Sequence, residues 1–252
     1  MKRTVRRKRS TLVRLRPFWI VGIFVAGLSV WAGISFANAP AFRLRTLDVV
    51  GVSRVNPNDV VRRAAIDGQE NVWLLDTSAI VARVEAIPFV RKAYVTRRLP
   101  ATIVLEVVER EPDACVRDAA GRMQTIDRDL RVLETGCDSA HVLTYRLRST
   151  LGRQPGAYLD DSELVKLERD ARSLDAGPDR FLAFADDRYG QLVATRRDGV
   201  EIEFGDDADL GRKESLVGPI ITALGPRASS IRAVDVRAPA TPVVEFRAPP
   251  KR

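Results

Sequence analysis

Few side chains in this sequence are of the kinds that catalyse reactions or bind metals. His141 is the only histidine, and Cys115 and Cys137 are the only cysteines. A zinc site usually takes four such ligands, and the two cysteines lack the short spacing of a zinc knuckle. His141 could act as the base of a Ser-His-Asp triad, but no nucleophile-elbow motif accompanies it. We therefore expect His141 to be an ordinary strand or loop residue.

The acidic clusters also lack the spacing that a binding site would require. Asp186-Asp187 and Asp206-Asp207-Asp209 do not follow the EF-hand pattern for calcium, and they are more typical of turns and helix caps. The sequence contains no P-loop and no G-x-G-x-x-G motif. It therefore predicts no enzyme, no cofactor, no bound metal and no small-molecule substrate.

The distribution of charge argues against a nucleic-acid partner. The chain has 41 Lys and Arg residues against 33 Asp and Glu residues, which gives a net charge of +8. Residues 1–16 contain eight basic residues and no acidic residue, so this tail carries the whole excess. Because the rest of the chain is electrically balanced, it lacks the net positive charge that nucleic-acid-binding domains carry.

An uncharged stretch, residues 17–42, follows the basic tail. Its apolar centre, residues 18–37, has the ~20 residues that a helix needs to cross a ~30 Å hydrocarbon core. Trp19 lies near one end, and Trp31 and Phe36 lie toward the other, as expected of aromatic residues at membrane interfaces. The stretch predicts a transmembrane helix, with four residues marking the span: Phe18, Trp19, Trp31 and Phe36.

The orientation of this helix follows from its basic flank, because such residues stay in the cytoplasm and leave the chain from residue 43 outside. A cleaved signal peptide is the main alternative, since Ala37-Asn38-Ala39 has the small-x-small form of a cleavage site. The apolar run is longer than a signal core, however, and Pro40 would follow the cut. We expect a retained anchor.

On the outer side, Cys115 and Cys137 could form a disulfide or remain two separate buried thiols.

Residues 43–112 show a strand–helix–helix–strand–strand order. Apolar alternation predicts the strands, and Asn56-Pro57 and Asp76 or Thr77 are typical of helix starts. The apolar run Trp73-Leu74-Leu75 is expected to fill the core between the helices. The predicted strands are 43–50, 89–97 and 101–109, and the predicted apolar helix faces are Val60, Val61, Ala64 and Ala65, then Ile80, Val81, Val84 and Ile87.

Residues 113–247 predict a second domain of strands with two helices. Asp198-Gly199 is a strong signal for a two-residue hairpin turn. Asp160-Asp161-Ser162-Glu163 opens the first helix, and the second, within residues 207–224, is expected to be weak or kinked near Gly218. The predicted strands are 114–117, 122–126, 131–134, 180–185, 191–195, 200–204, 231–237 and 241–246.

Several of these segments resemble the FtsQ/DivIB family. Residues 87–112, IPFVRKAYVTRRLPATIVLEVVEREP, resemble the hairpin of that family's POTRA domain, whose last strand ends in E-R-x-P. LDVVGVSRVNPNDV at 47–60 and residues 71–76 match the same domain. RDGVEIEFGDDADLGRKESL and IRAVDVRAPATPVVEFR, which begin at Arg197 and Ile231, resemble the family's β-domain.

The resemblance implies an α+β fold with a single N-terminal transmembrane helix, a POTRA domain (β-α-α-β-β) and a mixed β-sheet domain with two helices. The implied parts are a basic cytoplasmic tail (1–16), the transmembrane helix (17–42), the POTRA domain (43–112), an FtsQ-type β-domain (113–247) and a C-terminal tail (248–252).

The resemblance further implies a non-enzymatic scaffold of the bacterial divisome in the cytoplasmic (inner) membrane, at the division septum. Such a protein binds FtsB/DivIC-like and FtsL-like bitopic partners and links cytoplasmic septal assembly to cell-wall synthesis. A POTRA-bearing transport or outer-membrane assembly protein is the alternative, although no series of ~10-residue alternating strands follows. A secreted hydrolase that uses His141 would require cleavage after Ala39.

Prolines at positions 239, 242, 249 and 250 flank the last predicted strand, which indicates a sheet edge where a partner strand could add. The alternative is a core strand that prolines protect from aggregation. The resemblance favours partner binding at this strand, through Thr241, Val243, Val244, Glu245, Phe246 and Arg247. The resemblance also suggests that the POTRA domain docks other division proteins through a cationic strand. The residues of this strand are Arg91, Lys92, Arg97 and Arg98. The alternative is that the strand is only a solvated face.

Overall fold

The structure, a computed structural model, describes residues 16–37, 39–137, 142–174 and 180–247. Most of the basic tail, His141 and the tail from residue 248 lie outside the described residues. The described chain forms two compact units. The first comprises the described part of Met1–Val52 with Asn56–Val84 and Ala93–Val107, and the second comprises Ser53–Val55, Glu85–Lys92 and the described part of Val108–Arg252.

The first unit begins with helix α1 (Arg16–Ala37), which has 22 residues. It is the one helix in the described part of the chain that is long and apolar enough to cross a membrane, and none of the window Trp19–Phe36 is buried. A helix satisfies its own backbone hydrogen bonds, so an exposed apolar helix of this length is compatible with lipid. The predicted helix is confirmed as a candidate membrane span.

The strand–helix–helix–strand–strand order after α1 is confirmed. A 3₁₀ helix (Pro40–Phe42) leads into a three-stranded sheet in which β3 lies between β1 and β2, and β1 runs parallel to β3. The elements are β1 (Thr46–Val50), α2 (Pro57–Ala64), α3 (Thr77–Glu85), β2 (Val90–Arg98) and β3 (Thr102–Glu109).

Local side chains explain where these elements begin and end. Asn56 caps α2 by accepting a hydrogen bond from the N–H of Asn58, and Asp76 caps α3 by accepting from Ser78 and Ala79. Gly51 ends β1 with a φ of +82°, and a Cβ there would lie 2.3 Å from the carbonyl oxygen of Val107. Only glycine fits both constraints.

The apolar core of the first unit corrects two sequence predictions. Val61 and Ala65 of the predicted α2 face are exposed. The prediction that Trp73-Leu74-Leu75 fills the core is wrong for its first two residues, because only Leu75 is buried. The buried side chains include Val60, Ala64, Val72, Leu75, Ile80, Val84, Ile103 and Leu105.

The second unit contains a nine-stranded mixed sheet with the order β12-β11-β10-β9-β8-β7-β4-β5-β6. The strands are β4 (Ala114–Arg117), β5 (Met123–Ile126), β6 (Val132–Thr135), β7 (Leu143–Arg146), β8 (Phe181–Asp186), β9 (Leu192–Arg196), β10 (Glu201–Gly205), β11 (Ile231–Asp235) and β12 (Val243–Phe246). The helices are α4 (Ser162–Ser173) and α5 (Leu210–Ala223), and a 3₁₀ helix (Gly225–Ser230) precedes β11.

Most sequence predictions for the second unit are confirmed. Asp161 caps α4 by accepting hydrogen bonds from Glu163 and Leu164, and β9 and β10 form the antiparallel hairpin predicted at Asp198-Gly199. The second helix was expected to be weak or kinked near Gly218, but α5 is one continuous helix that includes Gly218 and Pro219. Strand β7, for which no sequence prediction was made, pairs in parallel with both β4 and β8.

A disulfide joins Cys115 in β4 to Cys137, just after β6, with a Cα–Cα distance of 5.9 Å. The alternative of two separate thiols is therefore wrong. Because the bridge connects the end of the β6 edge strand with β4, two strands further in, it restrains that edge in addition to the strand pairing.

Candidate partner-binding edge

Strand β12 lies at one edge of the nine-stranded sheet, as the prolines around it predicted. It pairs antiparallel with β11, with Val244 opposite Val234 and Val243 opposite Asp235. No other strand in the described part of the chain pairs with its outer edge. An unpaired edge presents backbone N–H and C=O groups to which another chain can add a strand.

The side chains of β12 differ in what they contact. Val243 is 55% exposed and Phe246 is 45% exposed, whereas Val244 is partly buried and packs on the core. Glu245 forms an exposed ion pair with Arg232, at 2.9 Å. The strand thus combines one anchored valine with two solvent-exposed apolar side chains.

The backbone around β12 fixes where the strand begins and ends. The N–H of Thr241 donates to the carbonyl of Ala238 at 3.0 Å, which closes the turn before the strand. The N–H of Arg247 donates to the carbonyl of Ser230 at 2.8 Å, directly after it. The six predicted binding residues therefore lie on one short edge segment, and their role in binding stays a prediction.

Arg237 braces the strands beside this edge. Its guanidinium lies 2.5 Å from Asp235 of β11 and 3.1 Å from Glu203 of β10. The hydrogen bond from Arg237 lowers the pKa of Asp235, and that carboxylate in turn raises the pKa of Arg237. The stem of Arg237 covers Gly205, where a Cβ would lie 2.8 Å from its Cγ. Strand β11, with which the edge strand β12 pairs, is therefore linked to β10 by these ion pairs as well as by strand pairing.

The opposite edge, β6, has its backbone covered by residues 154–159, here called the covering segment. The N–H of Val132 donates to Ala157 at 2.9 Å, and the carbonyl of Val132 accepts from Gly156 at 2.7 Å. Arg131 and Tyr158 form an isolated antiparallel bridge. These bonds use part of the edge that a partner strand would otherwise occupy.

Arg110 connects the covering segment to the loop after β5. This buried guanidinium donates to Asp127, to Asp129 at 3.0 Å and to the hydroxyl of Tyr158 at 3.2 Å. Burial alone would lower the pKa of Arg110, but Asp127, Tyr158 and Asp129 together raise it. Arg131 also contacts Tyr158, with its guanidinium 5.6 Å from the centre of the Tyr158 ring.

Glu109, the residue before Arg110, closes a turn at residues 53–55. Its carboxylate accepts hydrogen bonds from the N–H groups of Ser53 at 2.9 Å, Arg54 at 3.0 Å and Val55 at 2.8 Å. Burial would raise the pKa of Glu109, but these hydrogen bonds, with one from the Ser53 hydroxyl, lower it to about 2. Glu109 and Arg110 are the charged residues of the E-R-x-P motif, and two adjacent charges at a strand end were the signal in the sequence that could have indicated their roles.

The cationic residues predicted for docking do not form one surface of free charges. Arg97 donates to the carbonyls of Val72 at 2.8 Å and Leu75 at 2.6 Å, so its guanidinium supports the chain there. Arg91 lies 4.0 Å from Asp129, whereas Lys92 and Arg98 are exposed on β2. Docking through this strand stays a prediction, and Lys92 and Arg98 are its most accessible residues.

No site for metal chemistry is apparent within residues 16–37, 39–137, 142–174 and 180–247. No group of three or more His, Cys, Asp or Glu side chains there is arranged to hold a metal ion. The structural features that stand out are a free strand edge, a covered strand edge and an exposed apolar helix. Together they describe a chain with a candidate membrane span, a first unit with the β-α-α-β-β order of a POTRA domain, and a sheet edge to which a partner strand could add.

Comparisons with known proteins place this class more narrowly. Residues 42–110 match the family model described as POTRA domain, FtsQ-type. The chain is similar to proteins named Cell division protein FtsQ from several bacteria. The protein from Corynebacterium glutamicum is 29% identical over 102 residues, 40% of this chain and 46% of the relative. The protein from Novosphingobium aromaticivorans is 29% identical over 166 residues, 64% of this chain and 47% of the relative.

A longer match is found with the protein of the same name from Syntrophotalea carbinolica. It is 27% identical over 217 residues, which cover 80% of this chain and 74% of the relative. The chain spans about half the length of the other two relatives. The matched POTRA domain and these relatives support the resemblance of the chain to the FtsQ/DivIB family.

Proposed function

We propose that this protein is a non-enzymatic scaffold of the bacterial cell-division machinery, held in the cytoplasmic (inner) membrane by α1. The basic tail faces the cytoplasm, since basic residues next to a first membrane helix are retained there. The chain from residue 43 lies on the other side, where the disulfide between Cys115 and Cys137 can persist. The FtsQ-type POTRA domain and the names of the relatives support a role in division.

The observation that carries the proposal is the free outer edge of β12. The scaffold binds an FtsB/DivIC-like partner, together with FtsL-like proteins, by accepting a partner strand along this edge. Main-chain hydrogen bonds supply affinity in such pairing, and side chains on alternate faces supply specificity. Val243 and Phe246 are the exposed apolar contacts, and Glu245 and Arg247 form a charged rim. Bound to both partners at the septum, the scaffold links cytoplasmic assembly to cell-wall synthesis.

The binding role is tested by Val243→Lys. This side chain is 55% exposed and makes no core contact that the fold needs, so a lysine should leave the unit folded while placing a charge in the pairing region. We expect affinity for the partner's extracytoplasmic segment to fall about tenfold or more, equivalent to at least ~1.4 kcal/mol. Val244→Lys would be less informative, because Val244 packs on the core.

Val165→Lys is the matched control. Val165 lies on α4 of the same unit and is 46% exposed, so it receives the same charge at a similar exposure away from the edge. Affinity should be unchanged in this variant. Equal affinities for Val243→Lys, Val165→Lys and the parent chain, with intact circular dichroism, would rule out strand addition at β12.

The division role is tested by the position of an N-terminally tagged fluorescent fusion in dividing cells. A band at mid-cell before constriction is the expected result. A uniform peripheral signal from a functional fusion would contradict a role at the septum, and would bring the alternative of a POTRA-bearing transport protein forward.

A further inference from the structure

The short turn at residues 71–75 sends two large apolar side chains into solvent. The side chain of Asn71 accepts a hydrogen bond from the N–H of Trp73 at 2.9 Å. The backbone carbonyl of Asn71 accepts from the N–H groups of Leu74 at 2.9 Å and Leu75 at 3.2 Å. Because this is a single helical turn, Val72 and Leu75 point to the core while Trp73 and Leu74 point away. Trp73 is 50% exposed and Leu74 is 67% exposed.

This turn is tied to the chain that leaves the apolar helix. The N–H of Val72 donates to the carbonyl of Phe42 at 2.9 Å, and the N–H of Leu44 donates to Glu70 at 3.0 Å. Arg43 and Asn71 form an isolated antiparallel bridge between the two segments. The turn is thus fixed to the segment that joins α1 to the rest of the first unit.

A row of aromatic rings runs from the end of α1 to the turn. Phe36 lies in the last turn of α1, and its ring centre is 5.2 Å from that of Phe42 in an edge-to-face arrangement. Phe42 in turn contacts Trp73 edge-to-face, with ring centres 6.3 Å apart. Trp73 is therefore only two ring contacts away from the end of the apolar helix.

We propose that Trp73 and Leu74 insert into the lipid headgroup–acyl boundary of the bilayer that α1 spans. The inference rests on the membrane anchorage proposed above. With ~1.5 Å per residue, α1 is just long enough to cross a ~30 Å hydrocarbon core, so Phe36 lies near its outer boundary. Beyond that boundary each leaflet has roughly 5–7 Å of headgroups. Two ring contacts, of 5.2 Å and 6.3 Å, connect Phe36 with Trp73.

The chemistry of the turn fits this environment. Tryptophan is enriched at membrane interfaces because its large ring is apolar while its N–H remains polar. The guanidinium of Arg97 lies under the same turn, on the carbonyls of Val72 and Leu75, and Arg43 is exposed beside it. Lipid phosphates accept hydrogen bonds from such cations. The contact would hold the first unit on the bilayer at a second point besides α1.

The test uses the full chain in lipid vesicles with Trp19→Phe and Trp31→Phe, which leaves Trp73 as the only tryptophan. We expect its emission to be quenched by phosphatidylcholine brominated near the headgroup end of the acyl chains, and less by lipid brominated at the chain end. Acrylamide in the water should quench it weakly. Adding Leu74→Asp should reduce the lipid quenching, whereas the matched Val61→Asp, at an exposed valine of α2, should not.

A second variant, with Trp19→Phe and Trp73→Phe, reports on the span through Trp31. If Trp31 is quenched by brominated lipid and Trp73 is not, the lipid contact is wrong while the anchorage stands. If Trp73 is shielded from both lipid and acrylamide, protein covers it, either a partner or a second copy, and the proposal is also wrong. If Trp31 is unquenched, the anchorage itself fails and this proposal fails with it.

Discussion

The two edges of the nine-stranded sheet are built in opposite ways. At β6 the backbone is covered by residues 154–159, and the disulfide at Cys137 and the buried Arg110 hold that end together. At β12 the outer backbone is unpaired within the described part of the chain, and apolar side chains are exposed. Natural sheets usually protect their edges against unwanted pairing. The difference between the two edges is the reason for proposing that the open edge binds a partner.

The charges at the two edges follow the same division. At the β6 edge, Arg110 and Asp127 are buried, and a buried ion pair is costly to break. At the β12 edge, Arg232 and Glu245 are more than half exposed, and such pairs contribute little. The covered edge is therefore expected to be rigid, and the open edge to depend on a partner for full order.

The largest effect is expected at the covered edge. Arg110→Ala leaves the carboxylate of Asp127 buried without its main partner and removes the hydrogen bond to Tyr158. We expect the free energy of unfolding to fall by about 3–5 kcal/mol. Urea denaturation of the detergent-solubilised chain, followed by circular dichroism, measures the loss. A change below ~1 kcal/mol would show that Arg110 does not hold this edge.

An intermediate and pH-dependent effect is expected at Glu109. Its pKa is about 2 in the folded chain, below the ordinary value of 4.5, so the folded state binds this proton less readily than the unfolded state. Its stabilising contribution is therefore present above pH 4.5 and is lost as the pH falls from 4.5 toward 2. Glu109→Gln should cost about 1.5–3 kcal/mol at neutral pH and remove this pH dependence.

The matched control for that variant is Glu111→Gln, two residues further along at an exposed side chain. It should change the free energy of unfolding by no more than ~0.5 kcal/mol. If both variants lose the same stability, or if Glu109→Gln keeps the acid dependence of the parent chain, the hydrogen bonds to residues 53–55 do not stabilise the fold as argued.

The smallest effect is expected at the open edge. Arg232→Ala removes only the exposed ion pair with Glu245, and it should cost about 0–1 kcal/mol. The same urea denaturation measures it. A loss as large as that of Arg110→Ala would contradict the difference between the two edges.

Short-range signals in the sequence predicted much of the fold. The caps at Asn56, Asp76 and Asp161 and the turn at Asp198-Gly199 depend on residues a few positions apart, so the pattern alone locates them. The edge position of the last strand could also be predicted, because prolines cannot lie in a central strand.

Other features depend on distant contacts or on the direction of a single turn, and could not be predicted in this way. Strand β7 is only four residues long and exists through its pairing with β4 and β8. Trp73 was assigned to the core because apolar side chains are usually buried, whereas the single turn at residues 71–75 leaves it half exposed. The roles of Glu109 and Arg110 depend on partners about 50 residues away, Ser53 and Tyr158.

Amide hydrogen exchange with and without the proposed FtsB/DivIC-like partner segment tests the central claim most directly. Strand addition places new hydrogen bonds on the outer edge of β12, so exchange at residues 243–246 should slow when the partner is added. Exchange at residues 132–135 of the covered edge should stay the same. Slowing at β6, or unchanged exchange at β12 when the partner is bound, would contradict the claim that the open edge is the binding site.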